Sequence, residues 1–523
     1  MADFDAIIVG GGHNGLVSAL YLANAGWRVA VAERSGVLGG AVQSAEVTFP
    51  GLKHDLFATN VVLFVTSPIY REFREAFDKT GLRFLTNGYP FASAYTDGQA
   101  ACVFTDQDAT EREIARFSNA DLAGWREALG LFKRTARSFL PLYYTELPSV
   151  EMLRRLGELA AHPADASRLL RILCQTTRQF VDHYFSTPEI KGLVAPWAFH
   201  VDAAPDVVAG ASLAYVPTFA AHLRGAFVTK GGAGRLIESL RMLLAERGAR
   251  IFVDTHVMRI VLTNGRAVGV ETSTGDTLTA SRAIVASVTP RNLFLKLLSP
   301  DQLPSGFIRR VDRYRYGPST FVVHLALKDP LVWCAGEHLA SFAYVHLYGG
   351  VDDLQTTYAQ AMAGLLPTRP MLVISQMSPI DPSRAPPGYH VVRIHARAVP
   401  FHIKGDAAGH ISALTWDDAK EAYADRLIEL LALHAPNVKE ALVARHVVAP
   451  SDLERGNPNL IEGDCVSGSH HLAQNYFFRP FFGWSRYATP IPQLYMIGAS
   501  TWPGGGVNGG SGYLLAQQLL RTS

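Results

Sequence analysis

The stretch Asp5-Ala6-Ile7-Ile8-Val9-Gly10-Gly11-Gly12-His13-Asn14-Gly15 decides the fold. Asp5 to Val9 is an apolar run of strand length. The glycines break it, and Leu16, Ala19, Leu20, Leu22 and Ala23 then recur at helical spacing. Gly26 is placed to end that helix, and a second strand from Arg28 to Ala32 closes at Glu33. Strand, helix and strand in this order predict a parallel βαβ unit. In Gly10-x-Gly12-x-x-Gly15 the first glycine makes the tight turn. The second lets backbone N–H groups approach a pyrophosphate, and the third lets helix pack on strand. Glu33 lies 18 residues beyond Gly15, where its carboxylate can accept from both hydroxyls of a ribose and would repel a ribose 2′-phosphate. A dinucleotide site is expected at Gly10, Gly12, His13, Asn14, Gly15, Glu33 and Arg34.

Composition bounds the rest. The 523 residues allow several domain-sized units; 48% are apolar and only 18% charged, with a net charge of +2. Disordered, collagen-like and disulfide-scaffold classes are excluded, and bulk charge gives no reason to expect nucleic-acid binding. The low charge fits either an unusually large interior or an apolar surface for a greasy ligand or a membrane. Cys102, Cys174, Cys334 and Cys465 are scattered, so no zinc knuckle or dithiol motif can be read. No HExxH pattern or Gly-x-Ser-x-Gly elbow appears. Without a basic leader or a membrane-length apolar run, a cytoplasmic protein is expected, with peripheral membrane contact still allowed.

Further along, a hairpin is expected around Asp97-Gly98, helix starts at Asp108 and Ser118, and a helical region to about Phe185. Its leucine-rich part, Ser149 to Val181, reads as core helix in preference to a membrane-lying one, because its charges are mixed. A second helix-and-strand block spans Gly231 to Pro290. Strands at Thr320 to Leu327 and Met371 to Gln376 and a helix at Asp417 to His434 follow.

At the far end, a strand at Leu494 to Ile497 leads through Gly498 to Gly510 into a final helix. Glycines there are thin enough to admit a flat ring. Backbone N–H groups around Val507 to Gly509 would stabilise the negative charge that reduction places on a flavin. The pair Gly39-Gly40 would let the backbone pass beside the pyrophosphate on its flavin side.

Gly10 to Gly40 together with Gly498 to Gly512 resembles the phytoene desaturase-related FAD-dependent oxidoreductases, nearest the branch of pyridine nucleotide-disulphide oxidoreductase domain-containing protein 2. The resemblance implies an α/β (α+β mixed) fold with a discontinuous Rossmann-like FAD-binding domain from residues 1–75, 225–300 and 455–523. It is interleaved with a substrate domain of mixed sheet and helices from 76–224 and 301–454. It also implies noncovalent FAD, with cofactor contacts at Gly39, Gly40, Val257, Gly498, Ala499, Val507 and Asn508. Two departures matter. Many relatives have His where this chain has Trp502, which becomes a large apolar wall. The branch name mentions disulphides, yet no redox cysteine pair exists here.

His470 and His471, in an aromatic-rich stretch, are the candidate bases, although a lone His beside aromatics is more often a packed residue. Tyr476, Arg479, Trp502 and His200 are expected to line the substrate, with Arg479 either binding a carboxylate or bracing the loop. His54-Asp55 is read as a turn or cap. No metal is expected. The leading function is dehydrogenation, or saturation, of a C–C bond of a small to medium apolar substrate by hydride transfer to flavin N5, with oxygen or a quinone as acceptor. Amine or other C–N oxidation, non-redox isomerisation or hydration, and a flavin-binding partner protein with little turnover are the alternatives.

Overall fold

The computed structural model describes residues 2–522. Phe4–Val9 forms the centre of the first sheet, paired in parallel with Val29–Ala32 on one side and Thr277–Ala286 on the other. Arg250–Phe252 extends the sheet beyond Val29–Ala32, and Leu494–Met496 pairs in parallel with the end of Thr277–Ala286. The rest of that long strand turns antiparallel partners outward, Arg266–Thr272 and then Val257–Thr263. The sequence-distant ends of the chain therefore meet on one sheet, the expected Rossmann-like arrangement.

Helices His13–Asn24, Gly234–Glu246 and Gly510–Arg521 share a core with this sheet through Leu16, Leu20, Leu240 and Leu515. Two glycines allow the close approach. A Cβ on Gly15 would lie 2.3 Å from the Gly10 carbonyl oxygen, and one on Gly512 would lie 2.0 Å from that of Asn14. Asp55 is buried, and its Oδ1 accepts from the Ala233 N–H at 2.7 Å and from Ser44 Oγ at 2.6 Å. The capping role read from the sequence is thus exercised on a helix nearly 180 residues away.

The second sheet runs in the order Leu442–Val448, Ser319–Leu327, His390–Val399, Leu372–Gln376, Tyr344–Leu347, Phe91–Ala94, Ala100–Val103. All pairs are antiparallel except Tyr344–Leu347 with Phe91–Ala94. Val392, Ile394 and Ala396 pack into a core with Phe321, Tyr423 and Leu427, the last two from the helix Trp416–Ala432. Side chains alternate along a strand, so Arg393, His395 and Arg397 face the other way.

The Asp97-Gly98 turn joins Phe91–Ala94 to Ala100–Val103 as expected. The first helix after it, Gln107–Phe117, is capped by Asp106 and not Asp108: the Asp106 carboxylate accepts from the Ala109 N–H at 2.7 Å. Ser118 caps Asn119–Phe139 as read. The helical region continues past Phe185 to Gly210–Arg224, which holds Pro217 and was not legible as a helix. In the leucine-rich part, Met152, Leu169 and Ile172 point inward, whereas Leu153 and Leu170 are more than 60% exposed, so the core-helix reading holds for one face of each helix. Among the described residues no helix is long and apolar enough to cross a membrane.

Candidate active site

A cavity of about 1040 Å³ opens between the two sheets, at the upper end of the range for small-molecule sites. One end is walled by Gly12, His13, Asn14, Gly40 and Ala41 and the middle by Gly498, Ala499, Trp502, Gly506 and Val507. The far side is walled by Thr320, Val322, Tyr344, Val373, Arg393 and His395 of the second sheet.

The first end has the chemistry of a pyrophosphate cradle. Gly10 adopts φ +99°, and nothing occupies the space a Cβ on Gly12 would fill, leaving the helix N-terminus at His13 open to the cavity. Gly39 donates its N–H to the Gly11 carbonyl at 2.9 Å, which holds the second glycine pair against the first. Gly10, Gly15 and Gly39 shape the loop without touching the cavity. Asn14 Oδ1 accepts from Ser511 Oγ at 3.0 Å, and Ser511 Oγ accepts from the Gly498 N–H at 2.9 Å, so the two glycine segments are tied by one hydroxyl. Burial pushes the His13 imidazole down to about 4, so it is neutral beside this loop.

Glu33 accepts from the Gly11 N–H at 2.7 Å and the Ser35 N–H at 2.8 Å. Each oxygen has a further lone pair, so the carboxylate can still accept from ribose hydroxyls. The segment leading to Val257 runs alongside, with the Glu33 N–H on the Phe252 carbonyl and the Thr255 N–H on the Glu33 carbonyl, both 2.8 Å. Val257 itself does not line the cavity; it is buried in the core with Phe4, Ile7 and Ile284. Arg34 is exposed and turned toward the carbonyls of Arg455 and Gly456.

The flavin-end loop is organised from within. Asn508 Nδ2 lies within hydrogen-bond reach of the Gly504, Gly505 and Gly506 carbonyls, and its Oδ1 accepts from the Gly510 N–H at 2.7 Å. Trp502 donates Nε1–H to the Thr145 carbonyl at 3.0 Å and packs against Tyr143 and Tyr476, with ring centres 5.7 Å away in each case. The expected apolar wall is an aromatic trio.

The candidate bases separate. His470 lines the cavity, but its Nε2 accepts from the Gly505 N–H at 3.1 Å, which puts the neutral ring's proton on Nδ1. Burial, reinforced by the Arg479 charge, holds its pKa well below the ordinary value. It braces the loop. His471 lies off the cavity, its Nε2 2.8 Å from the Asp202 carbonyl oxygen. Arg479 is fully buried and donates to the carbonyls of Ala499, Ser469, Gly468 and Val466. Of the two roles read for Arg479, the geometry is that of the brace; its donors face backbone oxygens and not the cavity. His200 and Tyr476 do line the cavity. His200 stacks on Trp197 with Nε2 3.1 Å from His346 Nε2, and burial lowers its pKa strongly.

The sequence reading missed the second sheet's contribution. His395 Nε2 lies 2.5 Å from Thr320 Oγ1, and Arg397 donates to Cys465 Sγ at 2.7 Å and to the His200 carbonyl. The signal was present in Arg393-Ile394-His395-Ala396-Arg397, a strict alternation of polar and apolar side chains.

This pair of glycine loops, with an acidic residue at the end of the second strand, occurs together with a match over residues 15–520 to the family described as flavin containing amine oxidoreductases. The chain belongs to this family. FAD is its cofactor, and the protein is a flavin oxidoreductase of the phytoene desaturase-related kind. Pyridine nucleotide-disulfide oxidoreductase domain-containing protein 2 of Mus musculus is 28% identical to it, the alignment covering 99% of this chain and 94% of that protein. One of the subunits of limonene dehydrogenase from Castellaniella defragrans is 27% identical, covering 99% and 94%. Phytoene desaturase (lycopene-forming) of a Paracoccus species is 24% identical, covering 98% and 97%. Of the expected cofactor contacts, Gly12, His13, Asn14, Gly40, Gly498, Ala499 and Val507 line the cavity, whereas Glu33 and Asn508 stand behind this lining.

Proposed function

We propose that the protein dehydrogenates, or in reverse saturates, a carbon–carbon bond of a small to medium apolar substrate. The observation that carries this reading is the charge on the cavity wall. Among the described residues the only carboxylate lining it is Glu151, which is paired with Arg154 and Arg155, whereas Arg393 lies deep inside. An ammonium substrate would find cations and no counter-charge. An apolar chain would find Val322, Val373, Leu213, Val216 and Trp502. The relatives named for limonene dehydrogenase and phytoene desaturase support the same reaction class.

FAD would be held by residues of 1–75, 225–300 and 455–523, through Gly12, His13, Asn14, Glu33, Gly40 and the Gly498–Asn508 loop. When bound it supplies the two-electron acceptor, taking hydride at N5. Trp502, Tyr476 and Tyr143 orient the substrate and keep water out. His395, held neutral by burial and the charge of Arg397 and hydrogen-bonded at Nε2 to Thr320 Oγ1, contributes a polar, uncharged face to the cavity wall.

The test is anaerobic mixing of the holoenzyme with panels of apolar alkenes, ketones and amines. Bleaching of the flavin by a C–C substrate, followed by reoxidation with oxygen or a quinone, is expected. Bleaching by amines alone would replace this reading with C–N oxidation, and no bleaching by any panel would leave a non-redox isomerase or hydratase or a binding protein.

A further inference from the structure

The second sheet presents two donors to the cavity, on Tyr344 and Arg393, that no protein group answers, with Ser375 between them on the neighbouring strand. Tyr344, Ser375 and Arg393 are register partners on three adjacent strands. The Tyr344 hydroxyl, Ser375 Oγ and Arg393 Nε are buried without a protein partner. Arg393 is only 9% exposed, and its hydrogen bonds run from Nη1 to the carbonyls of Asp55 and Phe57, leaving Nη2 free among the described residues. Farther along the same strand face, Arg397 is likewise answered only by neutral groups, including Thr320 Oγ1, Cys465 Sγ and the His200 carbonyl.

Neither guanidinium forms an ion pair among the described residues. The imidazoles nearby, His200 and His395, are held neutral by burial and by these same cations, so they add no charge. Two positive charges therefore stand on one sheet face beside a largely apolar cavity. A buried unpaired cation is strongly disfavoured, and a planar guanidinium is best satisfied by two oxygens of one acid group.

We propose that the substrate is an apolar molecule bearing a carboxylate, received by Arg393 with the Tyr344 hydroxyl as second donor. This refines the C–C reading above and rests on it for its catalytic meaning, but not for binding. The carboxylate would anchor one end at the sheet while the apolar body extends past Trp502, fixing which carbons face the flavin end.

The experiment titrates the holoenzyme with sodium decanoate, methyl decanoate and decylamine while following the visible absorbance of the flavin. Decanoate should perturb the spectrum at a concentration at least about tenfold lower than the ester, as expected for a charge-assisted hydrogen bond, and decylamine should be weakest. Arg393→Met should abolish the preference, and Tyr344→Phe should reduce it by a few-fold with the fold and FAD content retained. Should Arg393→Met fail to fold, Tyr344→Phe and the wild-type ratio decide. Equal perturbation by acid and ester in the wild type, or a preference that survives the loss of both donors, overturns the proposal. A decanoate preference without bleaching by any C–C substrate would instead leave the anion site standing and remove the reaction assigned to it.

Discussion

Arg384 Nη1 donates to Asp55 Oδ2 across 2.6 Å, with both side chains sealed from solvent. The same guanidinium donates through Nε to Asp381 at 3.1 Å, while Asp381 accepts from the Gly231 N–H and Asp55 from the Ala233 N–H. One buried cation thus clamps the Gly231–Ala233 turn and the Asp55 segment to the chain at residue 381. Arg384→Met leaves two carboxylates facing each other without a cation. It should destabilise the protein by about 3–5 kcal/mol, as for other buried pairs broken on one side. Urea unfolding of wild type and variant measures this, and an unchanged midpoint refutes the clamp.

Glu33→Ala removes the anchor of the Gly11 and Ser35 N–H groups and, on the proposed reading, the acceptor for a ribose hydroxyl. FAD affinity should fall by roughly tenfold to a hundredfold, the range for one or two hydrogen bonds to a charged group. Flavin fluorescence after dialysis reports it, and full retention would place the ribose elsewhere.

His471→Ala should leave the rate of flavin reduction close to wild type, since the ring faces the Asp202 carbonyl outside the cavity. Arg479→Met should instead lower FAD content and thermal stability together, because five backbone carbonyls, Ala499 of the flavin-end loop and four of residues 466–474, lose their donor. Stopped-flow reduction separates the two, and a slow His471→Ala enzyme with full FAD content would restore that residue as a proton carrier.

Acid should weaken the fold through its buried histidines. Burial pushes His13, His54 and His222 down to about 4 and His346 to about 3, whereas an unfolded histidine titrates near 6.5. Below that value the unfolded chain binds protons that the native chain refuses. Stability from these groups is therefore full above about pH 6.5 and is lost as the pH falls toward 4, each group contributing up to about 1.4 kcal/mol per pH unit. Urea midpoints measured from pH 8 to 4.5 should be flat and then fall, and a midpoint that rises on acidification contradicts the assignment.

Both glycine segments could be read in the sequence because their physics is local. Gly10, Gly12 and Gly15 are demanded by a turn and a helix contact that lie within a few residues, and Glu33 follows at the length of one βαβ unit. Asp97-Gly98 marked its hairpin for the same reason. The roles of Arg479, His470 and His471 were not legible, because which of two adjacent histidines faces the cavity depends on contacts 20 to 35 residues apart, Arg479 to the Ala499 carbonyl and the Gly505 N–H to His470. The strand His390–Val399 was missed because Arg and His on its cavity face dilute the apolar run expected of a buried strand, although their alternation marked it. Gly210–Arg224 was hidden by Pro217.

That alternation also limits how the site can change over time. On His390–Val399, Arg393 and His395 line the cavity, with Arg397 on the same face, and Val392, Ile394 and Ala396 serve the core beneath. Adding or deleting one residue upstream within the strand would exchange the two sets at a stroke, driving guanidinium groups into the core and emptying the floor of its charge. A substitution at Arg393 or His395 would alter the cavity wall alone, whereas a change in the strand's length would also disturb the core beneath it.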